Sequence, residues 1–184
     1  IWREEEIEKV LVHEMIHSLK LDFFDYPQHL QKDFYKIFNI PTTLTIKLGE
    51  AYVESWAIIL NSIFVAISLN NNNNNNNNSR NSFQQFLSIF ADELMFSLFQ
   101  CSKILIYYKF QCVKNCENSF LHQFQNINKF QQETSVFSYY IIKTGILVNL
   151  HAFLKYCCFE NKKLLDFQPE PTKFRKFHNL LVSK

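Results

Sequence analysis

The sequence predicts a mainly α-helical fold, on three observations. Its 184 residues include only 2 glycines and 4 prolines, so few tight turns interrupt the chain. Its hydrophobic fraction of 47% is sufficient for one hydrophobic core, and we expect a single domain spanning residues 1–184. Several long stretches place apolar residues on all sides of a helix axis, which is typical of buried helices.

The elements follow from this pattern in chain order. We expect four long helices, a short helix, a short strand where apolar and polar residues alternate, and a polar tail from residue 160. The long helices are predicted at residues 2–21, 49–69, 82–110 and 133–159, the short helix at 30–38 and the strand at 41–48. Residues 70–82, which contain nine consecutive asparagines, are expected to be a disordered surface insertion.

Composition excludes several functions and favours one location. The net charge is +2 and no polybasic run occurs, so nucleic-acid binding is not indicated. The apolar stretches 56–69 and 137–153 are shorter than the ~20 residues of a membrane span, and no transmembrane segment is expected. Five cysteines form no disulfide framework, so we expect an intracellular, cytoplasmic protein.

The first residue is Ile1, which suggests a fragment of a longer chain.

One short motif in the first predicted helix is typical of metal-binding sites: His13-Glu14-Met15-Ile16-His17. Two histidines four residues apart lie one helical turn apart on the same face, where both imidazoles can bind one metal ion. Glu14 lies about 100° around the axis and can take a proton from a water activated by that ion. The motif therefore predicts one Zn²⁺ and a hydrolase, with Glu14 as general base.

A catalytic zinc ion needs a third protein ligand. A histidine six residues after His17, as in the metzincins, is absent, since that position is Phe23. A glutamate from the second long helix is available, because Glu50 and Glu54 share a face there. If that face is turned towards the histidines, Glu50 binds zinc and Glu54 orients one of them. A stripe facing solvent is the alternative interpretation.

These two motifs resemble the gluzincin metallopeptidases, the thermolysin-like clan, over roughly residues 8–60. The resemblance implies a helical zinc-binding core in which His13, His17 and Glu50 bind one Zn²⁺ and Glu54 supports a ligand histidine. It implies cleavage of peptide bonds in a peptide or protein substrate. Glu54 stands where the family usually has aspartate. The sheet that usually precedes the first helix is not in this chain, so we expect the N-terminal sheet region to be missing.

Further roles and alternatives remain open at this point. The clan uses a downstream Tyr or His to stabilise the oxyanion, and Tyr139, Tyr140 and His151 are the candidates. His29 is an alternative third ligand, as in SprT-like proteases. A non-catalytic helical scaffold, or a degraded peptidase that keeps only the motif, is the alternative from another functional class. The oligomeric state is not indicated.

Overall fold

A computed structural model describes residues 6–72, 79–112, 124–126 and 135–182. It confirms the mainly α fold. The helices are α1 (Ile7–Ser18), α2 (Gln28–Phe38), α3 (Leu48–Asn72), α4 (Ser79–Tyr107), α5 (Lys143–Val148), α6 (Leu150–Glu160) and α7 (Pro171–Val182). A π-helix, Phe137–Ile142, leads directly into α5. Two three-residue strands, β1 (Phe110–Cys112) and β2 (Phe124–Asn126), pair antiparallel with Phe110 opposite Asn126.

The central element is α3. Its first half is buried on nearly all sides, with Tyr52 and Trp56 among the largest fully buried side chains. It packs against α1, α4, the π-helix and α5. Because α1 and the π-helix both contact the first turns of α3, side chains from three elements meet near Glu50.

The second part of the core is aromatic and joins the two ends of the chain. Phe23, which follows α1, lies 4.3 Å from the Phe167 ring and 5.2 Å from the Phe174 ring, centroid to centroid. The Tyr52 ring lies 5.5 Å from the Phe167 ring. Helix α7 therefore packs against residues from the first third of the chain.

The predicted strand at 41–48 is wrong. The structure has an irregular segment there, with a turn from Pro41 to Leu44, and α3 begins at Leu48. The alternation nevertheless reflects one-sided burial, because Leu44 and Ile46 are buried while Thr45 is exposed. The backbone N–H of residue 47 donates to the Ser138 hydroxyl at 2.9 Å instead of to a neighbouring strand.

The predicted helix at 133–159 is interrupted. Residues 137–148 and 150–160 meet at an angle of 88° around Asn149. The Asn149 side chain donates to the Gly145 carbonyl at 3.0 Å, competing with the backbone ladder, which is why asparagine is unfavourable inside helices. The tail also contains a helix that the prediction missed, α7, with Pro171 at its first position.

The ends of the predicted insertion at 70–82 are helical, since α3 continues to Asn72 and α4 begins at Ser79. Residues 73–78 lie outside the described residues, as do residues 2–5 of the predicted first helix.

One described helix, α3, is long and apolar enough by length and composition to cross a membrane, with a mean hydropathy of 1.6 over its best window. The bent pair on either side of Asn149 passes the same test only if it is counted as one span. Half of the α3 window is buried inside the fold, and a core helix has the same length and composition as a span. The part of the chain that the structure describes therefore contains no clear transmembrane helix.

Candidate metal centre

The two histidines of α1 face α3. His13 and His17 lie one turn apart, and their ring centroids are 4.8 Å apart. Their Nε2 atoms approach to 3.1 Å. Both side chains are mostly buried, because α3 covers this face of α1.

Two glutamates of α3 meet these histidines. Glu50, in the first turn, places its Oε2 atom 3.5 Å from Nε2 of His13 and 3.6 Å from Nε2 of His17. Glu54, one turn later, places its own Oε2 3.1 Å from Nδ1 of His13. The polar stripe predicted on this helix thus faces the histidine helix and not solvent.

A carboxylate holds each imidazole by its Nδ1 atom. Glu54 lies against Nδ1 of His13, and Asp22 places Oδ2 2.9 Å from Nδ1 of His17. An Nδ1–H that donates to a carboxylate leaves the Nε2 lone pair free, and this arrangement orients ligand histidines in metal sites. Both Nε2 atoms are therefore directed into the same small space.

The sequence analysis missed Asp22, and the end of α1 explains its position. Lys20 has a left-handed backbone with φ 54°, and the Leu21 N–H donates to the Ile16 carbonyl at 3.1 Å. This is a Schellman-type end, which reverses the chain over the last helical turn. Asp22 thereby returns to His17, with its carboxylate almost completely buried. An acidic residue five positions after the second histidine, just past the helix end, is the signal that was available.

Three atoms, the Nε2 atoms of His13 and His17 and Oε2 of Glu50, form a group that could hold a metal ion. Their separations are 3.1, 3.5 and 3.6 Å. The circle through three atoms at these separations has a radius of about 2.0 Å, close to the ~2.0–2.2 Å of zinc bonds to nitrogen and carboxylate oxygen. Two imidazole lone pairs at 3.1 Å repel each other unless a proton or a cation lies between them, so the donor set fits a zinc ion.

The electrostatics of the cluster also favour a cation. Burial disfavours the charged form of His13, but bonds with Glu50 and Glu54 outweigh it and raise the pKa of His13 to about 9. The bond with His13 lowers the pKa of Glu50 to about 2 against the opposing effect of burial. Burial would raise the pKa of Glu54, yet His13 and Lys9 lower it to about 2. The carboxylates therefore stay ionised and attract positive charge at this point.

The π-helix adds a hydroxyl to the cluster. Tyr139 donates to Oε2 of Glu50 at 2.6 Å, the same oxygen that faces both histidines. Burial, the bond to Glu50 and the charge of Glu14 raise the pKa of Tyr139, so its hydroxyl stays protonated and able to donate. Glu14 itself is exposed on α1, and its charge acts on Tyr139.

Among the described residues, the other three candidates make no side-chain hydrogen bond to His13, His17 or Glu50. The Tyr140 ring lies 6.0 Å from Nζ of Lys143. His151 is exposed in the first turn of α6. His29, the alternative ligand, is exposed on α2, on the side of the molecule that faces His178.

A cavity of about 520 Å³ adjoins the cluster. His17, Asp22 and Glu50 line it, and Asp25 and Lys47 bring one acidic and one basic side chain to its wall. This volume is within the ~300–1,000 Å³ that is usual for ligand pockets. The cavity therefore lies against two of the three residues that could hold a metal ion, His17 and Glu50.

Comparison with known proteins identifies neither a family nor an activity. No protein-family model matches the chain, and no solved structure matches it. The chain is 29% identical over 157 residues to an uncharacterized protein of Acanthamoeba polyphaga mimivirus. The alignment covers 81% of this chain and 35% of the viral protein, so the chain spans about a third of the length of that relative.

Proposed function

We propose that this protein is a zinc-dependent hydrolase and that its substrates are peptide bonds. One observation carries the proposal: three ligand atoms on two helices surround a point about 2.0 Å from each, and a carboxylate holds the far side of each imidazole. Peptide as the substrate class comes from the resemblance to gluzincins. The paired motifs and the placement of Glu50 and Glu54 beside the histidines support it.

In the proposed site, His13, His17 and Glu50 hold the ion, while Glu54 and Asp22 keep the imidazoles in the orientation that binds it. A zinc ion bound there supplies Lewis-acid chemistry, polarising a carbonyl group and lowering the pKa of water.

Glu14 and Tyr139 supply the proton chemistry. Glu14, between the two histidines and open to solvent, takes a proton from the attacking water and then delivers it to the leaving amine. Tyr139 keeps its proton and lies within hydrogen-bond reach of the metal-binding oxygen of Glu50. Its hydroxyl is thus the best placed of the three candidates to donate to the oxyanion of the tetrahedral intermediate.

The first test measures zinc content after metal removal and reloading, by elemental analysis of folded protein. We expect about one zinc per chain in the wild type, since the site offers three ligand atoms. Glu50→Ala loses the ion, and His29→Ala, a matched loss of an exposed histidine, keeps it. A folded wild type without zinc, or zinc lost in His29→Ala and kept in Glu50→Ala, contradicts the proposed site.

The second test separates hydrolysis from metal binding alone. Glu14→Gln should retain zinc, because Glu14 is not a ligand. It should reduce cleavage of a mixed peptide library by at least about 100-fold, the usual contribution of a positioned general base. Zinc binding without any cleavage by the wild type would favour the scaffold function over the peptidase function.

A further inference from the structure

Helix α4 exposes an apolar face that the described part of the chain leaves uncovered. One side of α4 packs into the core through Phe90, Ser97, Cys101 and Leu105. The side of α4 away from the core carries five of the eighteen exposed large hydrophobic side chains in the described residues. They are Met95, Phe96, Phe99, Ile106 and Tyr107, each 53–77% exposed. Single exposed apolar residues are ordinary, but a group of them on one side of a helix marks a contact surface.

The middle of this face has opposite charges placed symmetrically about two aromatic rings. Phe96 and Phe99 lie on either side of a midpoint between positions 97 and 98. Asp92 and Lys103 are also equally far from that midpoint along the sequence, with Asp92 before it and Lys103 after it. At 100° per residue these four side chains fall within about 60° of the helix circumference, so they form one narrow stripe. All four are exposed.

This pattern is self-complementary. When two identical helices cross antiparallel about a twofold axis, a residue before the midpoint lies opposite the residue equally far beyond it on the other helix. On α4 this places Phe96 against the partner's Phe99 and Asp92 against the partner's Lys103. Each pair occurs twice, so a second copy covers both rings and neutralises both charges. Within its own chain Asp92 has no ion-pair partner among the described residues.

We infer that α4 is a homodimer interface, occupied by α4 of a second copy in antiparallel orientation. The aromatic pairs supply apolar contact, and the Asp92–Lys103 pairs fix the direction and register of the two helices. The surface lies on the side of α4 away from the core, so the inference does not depend on the proposed zinc chemistry and can fail independently of it.

Charge reversal tests this inference, with the dissociation constant measured by sedimentation equilibrium on the 184-residue chain. Asp92→Lys places two lysines opposite each other, and Lys103→Asp places two aspartates opposite each other. Each single reversal should weaken the dimer by about tenfold or more, since juxtaposed like charges are repulsive. The double variant carrying both reversals restores the pairs with their signs exchanged, and its affinity should return to within about threefold of the wild type.

Mixing the two single variants gives a sharper result. In their heterodimer Lys at position 92 meets Asp at 103, and Asp at 92 meets Lys at 103, so the mixture should dimerise more tightly than either variant alone. Asp25→Lys, a reversal at an exposed site away from α4, should have no effect. The inference is overturned if the wild type is a monomer up to about 100 µM, if single reversals leave the dimer unchanged, or if neither the double variant nor the mixture recovers it. Circular dichroism checks that each variant is folded.

Discussion

At the scale of single residues, the candidate metal centre depends on carboxylates that would not touch the ion. Asp22 and Glu54 each hold the Nδ1 atom of one histidine. The Asp22 carboxylate is almost completely buried and that of Glu54 is partly buried. A rigid imidazole loses less conformational freedom on binding an ion than a mobile one, so we expect these carboxylates to raise the zinc affinity of the proposed site.

Asp22 is suited to a test of this role. Replacing its carboxylate by an amide removes the negative charge beside Nδ1 of His17 with little change in side-chain shape. We expect Asp22→Asn to weaken zinc binding by about 10–100-fold, the usual effect of losing such a partner, while the three ligands remain. Competition with a chromophoric chelator measures the affinity. Asp25→Asn, a matched change at an exposed position in the same segment, is the control and should bind zinc like the wild type. Equal affinities of the two variants would remove Asp22 from the site.

The sequence predicted some of these residues better than others for a physical reason. His13 and His17 share a face, as do Glu50 and Glu54, because helical periodicity fixes neighbours one turn apart. Helical periodicity did not predict that the histidine face of α1 meets the glutamate face of α3. That prediction came from the resemblance and from the free-energy cost of burying ionisable groups without partners. Asp22 was missed because its position depends on how α1 ends, and Lys20 is not the glycine that normally announces a left-handed end.

At the scale of elements, local pattern predicted where the long helices lie but not how completely their apolar residues are buried, since α4 exposes Phe96 and Phe99. The alternation at 41–48 correctly indicated which side chains point inwards, but a strand also requires a partner, and the sequence does not specify one. Helix α7 was missed although Pro171 marks its start and Phe174, Phe177 and Leu181 share one buried face. Polar residues outnumber apolar ones in this helix, so its composition indicated a polar tail. The helix is stabilised by the packing of its apolar face against the rest of the fold.

The packing of α3 against the segment after α1 gives a prediction at this scale. A Cβ atom at Gly49 would lie 2.1 Å from the Phe23 carbonyl oxygen, so any side chain there separates α3 from the segment that carries Asp22. We expect Gly49→Ala to destabilise the fold by about 1–3 kcal/mol, as overpacking does. Because Glu50 is the next residue, the change should also weaken zinc binding although every ligand is intact.

Ala57→Gly is the matched control for that variant. Ala57 is buried on the same helix about two turns beyond Glu50, and glycine there costs about 1 kcal/mol of stability through helix propensity. Chemical denaturation should show both variants less stable than the wild type. Zinc titration should show weaker binding only in Gly49→Ala. If the two variants bind zinc equally well, the close approach at Gly49 does not position Glu50.

At the scale of the whole molecule, α7 joins the end of the chain to its first third through a buried polar contact. The Tyr26 hydroxyl lies 2.9 Å from Nδ1 of His178, and Oδ2 of Asp33 lies 3.2 Å from Nε2 of the same ring. The Phe34 ring packs edge-on against His178 at 5.2 Å. This imidazole therefore sits between α7, α2 and the connector that follows α1, where a change in its charge affects the packing of all three.

The titration of His178 makes the stability of the fold depend on pH. Burial lowers the pKa of His178 below its ordinary value, although Asp33 opposes this and His29 assists it. Because the pKa of His178 is lower in the folded protein, the unfolded chain binds this proton at a higher pH than the folded protein does. The contribution of neutral His178 to the free energy of unfolding is therefore present above about pH 6.5 and is lost as the pH falls below that value. Between pH 7.5 and 5.5 the melting temperature of the zinc-free wild type should therefore fall relative to that of His178→Asn, which keeps an acceptor for Tyr26. His13, whose pKa is raised, contributes in the opposite direction in both proteins, so the comparison removes its effect. His151→Asn, a loss of an exposed histidine on α6, should match the wild type. Parallel pH profiles for all three proteins would show that His178 does not set the pH dependence of stability in this range.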